Sequence, residues 1–315
     1  SKPLTASIDM SDLSGLFYLV LMVAIGYGAS AAKLLPEKTA DTLPQVLFNI
    51  CYPAMILDTF LTVDTSVVLG TGLPVVIATI AATLVLLVLG PVLFRKAPEG
   101  LRQLYIFLMG VGNVTYVAIP LFSVFLPAEA VMVAILHSTA QDPLIWGIYL
   151  PFLLDRGQKK EKPLKSALTS PCLIATALGA VLCFTGIPLP SFIADTAARI
   201  SAATSPLALL LIGTLVRQYG LLSWVRDRRA LLYSLLKVLV LPCCLFPVFR
   251  LFLSSTDAIL LSILFGSPAP LLSIVWAKQN GQDVAFPVHS FLASTLLYLT
   301  AASTVLILLT KFGIL

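Results

Sequence analysis

Charge is scarce in this sequence: Asp, Glu, Lys and Arg make up 11% of 315 residues, against 58% hydrophobic. A soluble domain needs roughly a quarter of its residues charged to cover its surface, so a soluble fold is excluded. Strict alternation of apolar and polar positions is also missing, which removes a transmembrane barrel. Histidine occurs twice, and Cys51, Cys172, Cys183, Cys243 and Cys244 share no metal-ligand spacing. Two histidines make no zinc site, and neither a metal nor an organic cofactor is expected. The cysteines fall in apolar runs and read as small buried hydrophobes, not disulfides. No phosphate-cradling loop, HExxH, GxSxG or paired-carboxylate pattern occurs, so neither an ATP motor nor enzymatic chemistry is visible. The polar stretch 1–12 lacks the basic-then-apolar order of a signal peptide.

What fills the chain is apolar sequence, with a mean hydropathy of +0.99. Runs of about 20 apolar residues cross a bilayer core as helix. Polar breaks predict ten spans, at 13–32, 41–61, 69–94, 102–126, 129–154, 167–187, 190–217, 230–253, 256–277 and 283–310. The expected fold is an all-α polytopic membrane protein.

Lys and Arg sort to alternate connections. Lys33 and Lys38 follow the first span, and Arg95, Lys96 and Arg102 the third. Arg156, Lys159, Lys160, Lys162 and Lys165 follow the fifth, Arg217, Arg226, Arg228 and Arg229 the seventh, and Lys278 the ninth. The other connections carry Asp64, Glu129, Asp195 and Asp257 and no basic residue. Because cytoplasmic loops concentrate Lys and Arg, both termini are expected outside. The net charge of +5 is thus a topological signal, not a nucleic-acid one.

One spacing recurs. "HSTAQ" at His137 and "HSFLA" at His289 lie 152 residues apart, Pro53 and Pro206 153, and Asn113 and Ser267 154. This suggests two five-span halves, 1–155 and 167–315, joined by a basic connection at 156–166. Five is odd, so the halves enter the membrane from opposite sides, the inverted repeat of many secondary transporters.

The fourth and ninth spans carry helix breakers. "GVGNVTYVAIPLF" starts at Gly110 and "FGSPAP" at Phe265. Irregular backbone inside a membrane survives only against protein or water, and paired interrupted spans point to a transporter's binding site. The starts of the second half-helices carry positive ends that attract an anion without a buried Lys or Arg. Gly112, Asn113, Thr115 and Pro120, with Gly266, Ser267, Pro268 and Pro270, are therefore candidate substrate-binding residues. A simple proline kink is the alternative for either span alone.

Other intramembrane polar groups leave choices open. An acid at mid-span costs about 2.5–3.5 kcal/mol, so Asp142, beside Gln141, is a coupling candidate for H+ or Na+. The alternative is a protonated Asp142 bonded to Gln141 or a neighbouring helix. His137 and His289 either titrate near neutral pH or are neutral imidazoles bonded to backbone. Arg199 either faces the substrate path or pairs with Asp58 or Asp195. Arg199 and Lys237 lie deeper than snorkelling side chains usually do, although Lys237 is near enough to the cytoplasmic end to reach it. Asn49, Tyr52 and Pro53, with Ser205 and Pro206, form either a pocket wall or packing kinks.

"GNVTYVAIPLF", "LIWGIYL" and "GSPAPLLSIVWAKQNGQD", with "LPQVLFNICYPAMILDTF" in the second span, resemble the auxin efflux carrier family. That family holds the plant PIN-type carriers and bacterial relatives proposed to carry organic acids such as malate. The resemblance covers the full chain. It implies two inverted five-helix repeats whose fourth and ninth helices cross at their breaks, with substrate below the crossing. It also implies scaffold helices 1, 2, 6 and 7, transport helices 3–5 and 8–10, a homodimer and elevator-like movement in a bacterial inner membrane. The long cytoplasmic loop of many plant members is missing, so its regulation does not carry over, and auxin as substrate is unsupported.

The function expected is secondary transport of small organic anions. Export of a monoanion from a negative interior gains about 2.3 kcal/mol per 100 mV, enough for uniport, whereas uptake needs coupling. The competing reading is a Na+- or H+-coupled carrier of the bile-acid or sodium–proton exchanger type. A third is a sensor that binds its ligand without moving it.

Overall fold

The computed structural model describes residues 14–36, 38–62, 72–154, 171–220, 222–279 and 282–311. Stretch 1–12, Asp64 and the basic connection 156–166 lie outside the described residues, as do the side chains of Pro120 and Glu129. The described residues are helical and contain no strand.

The helices are α1 Ser14–Ala31, α2 Thr39–Val46, α3 Tyr52–Thr62, α4 Leu73–Leu93, α5 Glu99–Gly110, α6 Ile119–Phe125 and α7 Ala128–Leu144. They continue with α8 Pro171–Thr185, α9 Ser191–Tyr219, α10 Arg228–Leu235, α11 Leu241–Phe249, α12 Ser255–Phe265, α13 Leu271–Gln279 and α14 Ala285–Lys311. Among the described residues four continuous helical stretches are long and apolar enough to cross a membrane: Leu73–Leu93, Ser191–Tyr219, Arg228–Phe249, which contains a π turn, and Ala285–Lys311. The other expected spans are shorter or divided.

The divisions follow proline. Wide π-helical turns occupy Leu47–Cys51, Val114–Ala118, Ile145–Leu154 and Leu236–Val240. Pro53, Pro120, Pro151 and Pro242 each place the carbonyl four residues back inside such a turn. A proline ring clashes with that carbonyl and donates no hydrogen bond to it, so the backbone widens there.

Packing forms two groups. In one, α1 lies along α9, and α3 packs on α8 and α9. Glycines set the first contact: a Cβ on Gly26 would overlap the Leu210 carbonyl, and one on Gly213 the Val23 carbonyl. Small residues let membrane helices touch backbone to backbone. Thr204 on α9 donates to the Cys51 carbonyl at 3.3 Å, satisfying an acceptor at the end of the π turn. In the other group α4 packs on α5 and α7, α10 on α14, and α12 on α11 and α7. An apolar core joins the groups through Tyr52, Ile56, Leu108, Trp146, Leu211 and Phe291.

Two helix starts are capped. Ser254 accepts from the Asp257 amide at 3.1 Å and donates to its carboxylate at 2.7 Å, an N-cap at α12. Asp227 accepts from the Arg229 and Ala230 amides at 3.1 and 3.3 Å at α10.

Two cysteines depart from the sequence expectation. Cys51 and Cys172 are buried and Cys183 is partly so, but Cys243 and Cys244 are exposed on α11. In a membrane protein an apolar run faces lipid as readily as protein, so hydropathy alone does not bury a residue.

Candidate functional site

Between α5 and α6 the chain leaves the helix at Val111, which is extended at φ −117° and ψ 142°. Between α12 and α13 it leaves at Gly266 and resumes at Leu271. The two breaks touch. The Asn113 amide donates to the Pro268 carbonyl at 2.8 Å, and Gly112 faces Ser267 so closely that a Cβ on Gly112 would overlap the Ser267 hydroxyl.

A cavity of about 70 Å³ opens at this contact. Its polar side holds Gly112, Asn113, Thr115, Ser138, Gln141 and Asp142. Tyr52, Met55, Ile56, Ile145 and Trp146 form an apolar side, and Pro270, Leu271 and Leu272 close it. Two helix starts therefore converge on it. The first bond within the turn after Asn113 runs from the Val117 amide to the Asn113 carbonyl at 3.3 Å. The amides of Val114, Thr115 and Tyr116 precede it, and the first amides of a helix have no partner within the helix. The α13 start does the same with Leu271 and Leu272, ahead of the Ser273 amide bonded to the Pro270 carbonyl at 3.0 Å.

Two side chains at the contact have spare hydrogen-bonding capacity. Asn113 is 4% exposed, and its amide nitrogen has no partner among the described residues. The Ser267 hydroxyl is equally unpartnered. Thr115 and Ser138 share a bond of 3.1 Å. Asp142 is half-buried and faces the cavity.

The carbonyl end of α5 is closed. The last carbonyls of α5 each have a side-chain donor: Tyr233 reaches Leu108 at 3.0 Å, Lys237 reaches Met109 at 2.8 Å, and Gln141 reaches Gly110 at 3.0 Å. Gln141 also donates to Thr83 at 3.2 Å, while His137, one turn earlier, bonds Thr79 at 3.1 Å. Thr79 and Thr83 on α4 thus meet His137 and Gln141 on α7, two pairs at helical i, i+4 spacing.

Interrupted helices that meet at their breaks inside an apolar bundle suit a carrier, and a comparison with known families points to one as well. A family described as membrane transport protein matches residues 13–310. The chain belongs to this family, that of the auxin efflux carriers. It is an integral membrane transporter and not an enzyme. No curated protein matches it in sequence.

In this membrane transport protein the expected site residues separate into those at the cavity and those elsewhere. Tyr52, Gly112, Asn113, Thr115, Pro270, Gln141 and Asp142 line it. Ser267 and Pro268 form the contact behind it. Gly266 packs elsewhere, where a Cβ would strike the Pro242 ring. Pro120 sits in the first turn of α6, and its side chain lies outside the described residues. Asn49 is exposed and Pro53 lies off the cavity. The π turn at Leu47–Cys51 adds a residue to one turn and rotates Asn49 away from the face that carries Tyr52, Met55 and Ile56.

The histidines are placed apart from the cavity. His137 is 1% exposed, bonded to Thr79 and edge-on to Phe265 at 4.8 Å. His289 bonds Ser223 at 2.8 Å and Asp227 at 3.0 Å, near the start of α10. Among the described residues both imidazoles bond side chains, whereas one of the two alternatives had them bonded to backbone. Arg199 is exposed on α9. Lys237 does not snorkel: it is fully buried.

Met55, Ile56, Ser138 and Trp146 escaped the sequence reading, yet a signal existed. Residues 138, 141, 142, 145 and 146 fall on one helical face, as do 52, 55 and 56.

Proposed function

We propose that this transporter is a secondary carrier of small organic anions, chiefly carboxylates. Substrate binds in the cavity at the crossing, and elevator-type movement exposes it to each side. The observation that carries the reading is the Asn113 side-chain amide nitrogen: buried, without a partner among the described residues, and set where two helix starts converge. A buried donor without an acceptor costs about 1–3 kcal/mol, and a carboxylate oxygen relieves it. The positive ends of the two half-helices favour the same ligand without a basic side chain in the cavity lining. Tyr52, Met55, Ile56 and Trp146 offer an apolar wall for the substrate's body.

Ten spans in two inverted halves fit the recurring spacing and the paired breaks. The two packing groups support a scaffold of spans 1, 2, 6 and 7 beside a transport unit of spans 3–5 and 8–10. Homodimerisation through the scaffold and basic connections on the cytoplasmic side complete the proposal.

Asp142 shares the cavity with the anion. Like charges this close repel, so a carboxylate binds best when Asp142 carries a proton or a cation accompanies it. This keeps a second reading in play, a carrier whose main cargo is Na+ or H+.

The test is current from reconstituted protein challenged with mono- and dicarboxylates at about pH 5.5 and about pH 7.5, repeated on Asp142→Asn. Saturable carboxylate currents in the wild type, independent of Na+, support anion carriage. Currents evoked by Na+ or pH alone, indifferent to carboxylate and abolished in Asp142→Asn, support cation exchange instead.

A further inference from the structure

Beyond the cavity lies Lys237. Its side chain is 0% exposed, on the π turn Leu236–Val240, and its Nζ donates to the Met109 carbonyl at 2.8 Å. Among the described residues the ion pairs are Arg229 with Asp227 and Lys278 with Asp41, and His289 also contacts Asp227. Lys237 takes part in none of them. A buried cation without a carboxylate is costly unless something else balances it. Here the balance is the negative end of α5, where Leu108, Met109 and Gly110 would otherwise present free carbonyls.

Interrupted helices in coupled carriers use such half-helix carbonyl ends to hold Na+ or H+. In this protein the end is already occupied. Tyr233 and Lys237, one turn apart, take Leu108 and Met109, and Gln141 takes Gly110. At the spacing that separates Asn113 from Ser267, the position matching Lys237 is Thr83, a neutral hydroxyl that receives the Gln141 amide. The charge is therefore a feature of one half alone.

We infer that the Lys237 ammonium is the resident cation of the crossing, a tethered charge standing where a coupled carrier binds a metal ion. It fixes the carbonyl end of α5 and removes the need for Na+ at that end, and it leaves the helix starts on the cavity side free for the anion. The inference deepens the carrier reading and rests on it for its link to transport.

The test uses full-length protein in detergent and in proteoliposomes. Thermal unfolding is compared in NaCl, methylammonium chloride and choline chloride for the wild type, Lys237→Ala and Lys237→Gln. The wild type is expected to unfold at the same temperature in all three. Lys237→Ala is expected to gain stability in methylammonium or Na+ over choline, because the vacated carbonyl end accepts a free cation. In proteoliposomes, Lys237→Gln keeps a donor without the charge and is expected to lose about tenfold or more of the carboxylate current, the scale of a hydrogen bond to a charged group. Lys237→Ala is expected to recover current when methylammonium is supplied.

Na+-dependent stabilisation or Na+-dependent current in the wild type would overturn the inference. So would a Lys237→Gln protein with wild-type current, or a folded Lys237→Ala protein indifferent to every cation. The unfolding comparison needs no transport. A wild type without carboxylate current would sink the carrier reading while the unfolding comparison still decides the cation site. Should Lys237→Ala fail to fold, Lys237→Gln decides.

Discussion

The Asn113 amide donates to the Pro268 carbonyl at 2.8 Å, tying the two interrupted helices where each stops being a helix. This bond satisfies two backbone groups that proline and glycine had freed. It leaves the Asn113 side chain to face the cavity, where it has no protein partner among the described residues. The crossing is thus closed by backbone and armed by a side chain.

Closure depends on the absence of a side chain at Gly112. Gly112→Ala drives a Cβ into the Ser267 hydroxyl, and overpacking of this kind costs about 1–3 kcal/mol. The variant should unfold at lower temperature and lose transport. Gly112→Ala combined with Ser267→Gly should regain much of the loss, because the hydroxyl removed had no partner. A double-mutant cycle on thermal stability checks the coupling.

Gln141 holds the Gly110 carbonyl and the Thr83 hydroxyl together. Gln141→Leu leaves both without that donor in a buried site and should destabilise by about 1–3 kcal/mol. Denaturant or thermal unfolding measures it, and a change under about 0.5 kcal/mol would mean other donors replace the amide.

Asp142 sets the pH response of binding. In the wild type, carboxylate affinity should rise as pH falls, because protonation removes a negative charge beside the ligand. Asp142→Asn should bind with nearly the same affinity across that range. Titration of ligand-induced stabilisation at several pH values separates the two behaviours.

Asp227 makes a different pH prediction, in the connection before α10. Burial raises its carboxyl pKa, but the His289 ring, the Ala230 and Arg229 amides and the Arg229 charge outweigh burial and leave it below the ordinary 3.8. A lowered folded pKa gives stability that is complete above the unfolded value and drains as pH falls through the folded one. Wild type should therefore exceed Asp227→Asn in melting temperature at neutral pH. The gap should shrink below about pH 4.

Lys278 on α13 pairs with Asp41 on α2 at 3.0 Å; α2 also packs on α9 and α13 on α14. Asp41 is 60% exposed, so the pair is worth about 0–1 kcal/mol. Under elevator movement the pair must break. Lys278→Gln should then shift the balance of inward- and outward-facing states by a factor of a few, measurable by accessibility of single introduced cysteines on either side.

Much of this was legible in sequence because it depended on composition and proline. The scarcity of charge required a membrane fold, and the clustered breakers in "GVGNVTYVAIPLF" and "FGSPAP" marked the crossing. What escaped depended on register. Asn49 stands one turn before Tyr52, but a π turn lies between them, and no residue type announces which turn will widen. Lys237 read as a deep side chain within reach of the cytoplasmic end, and its acceptor stayed hidden because the Met109 carbonyl is 128 residues away. The histidines matched each other in sequence, yet one faces Thr79 and the other Asp227, since the partners on the two sides differ.

The most direct test of anion binding at the crossing is calorimetric titration of small mono- and dicarboxylates into the wild type and Asn113→Leu, with folding of both verified by thermal unfolding. Saturable binding in the wild type, weakened about tenfold or more in the variant, is the result expected when the Asn113 amide bonds a charged ligand. Equal affinity in both proteins would contradict it and place the substrate elsewhere.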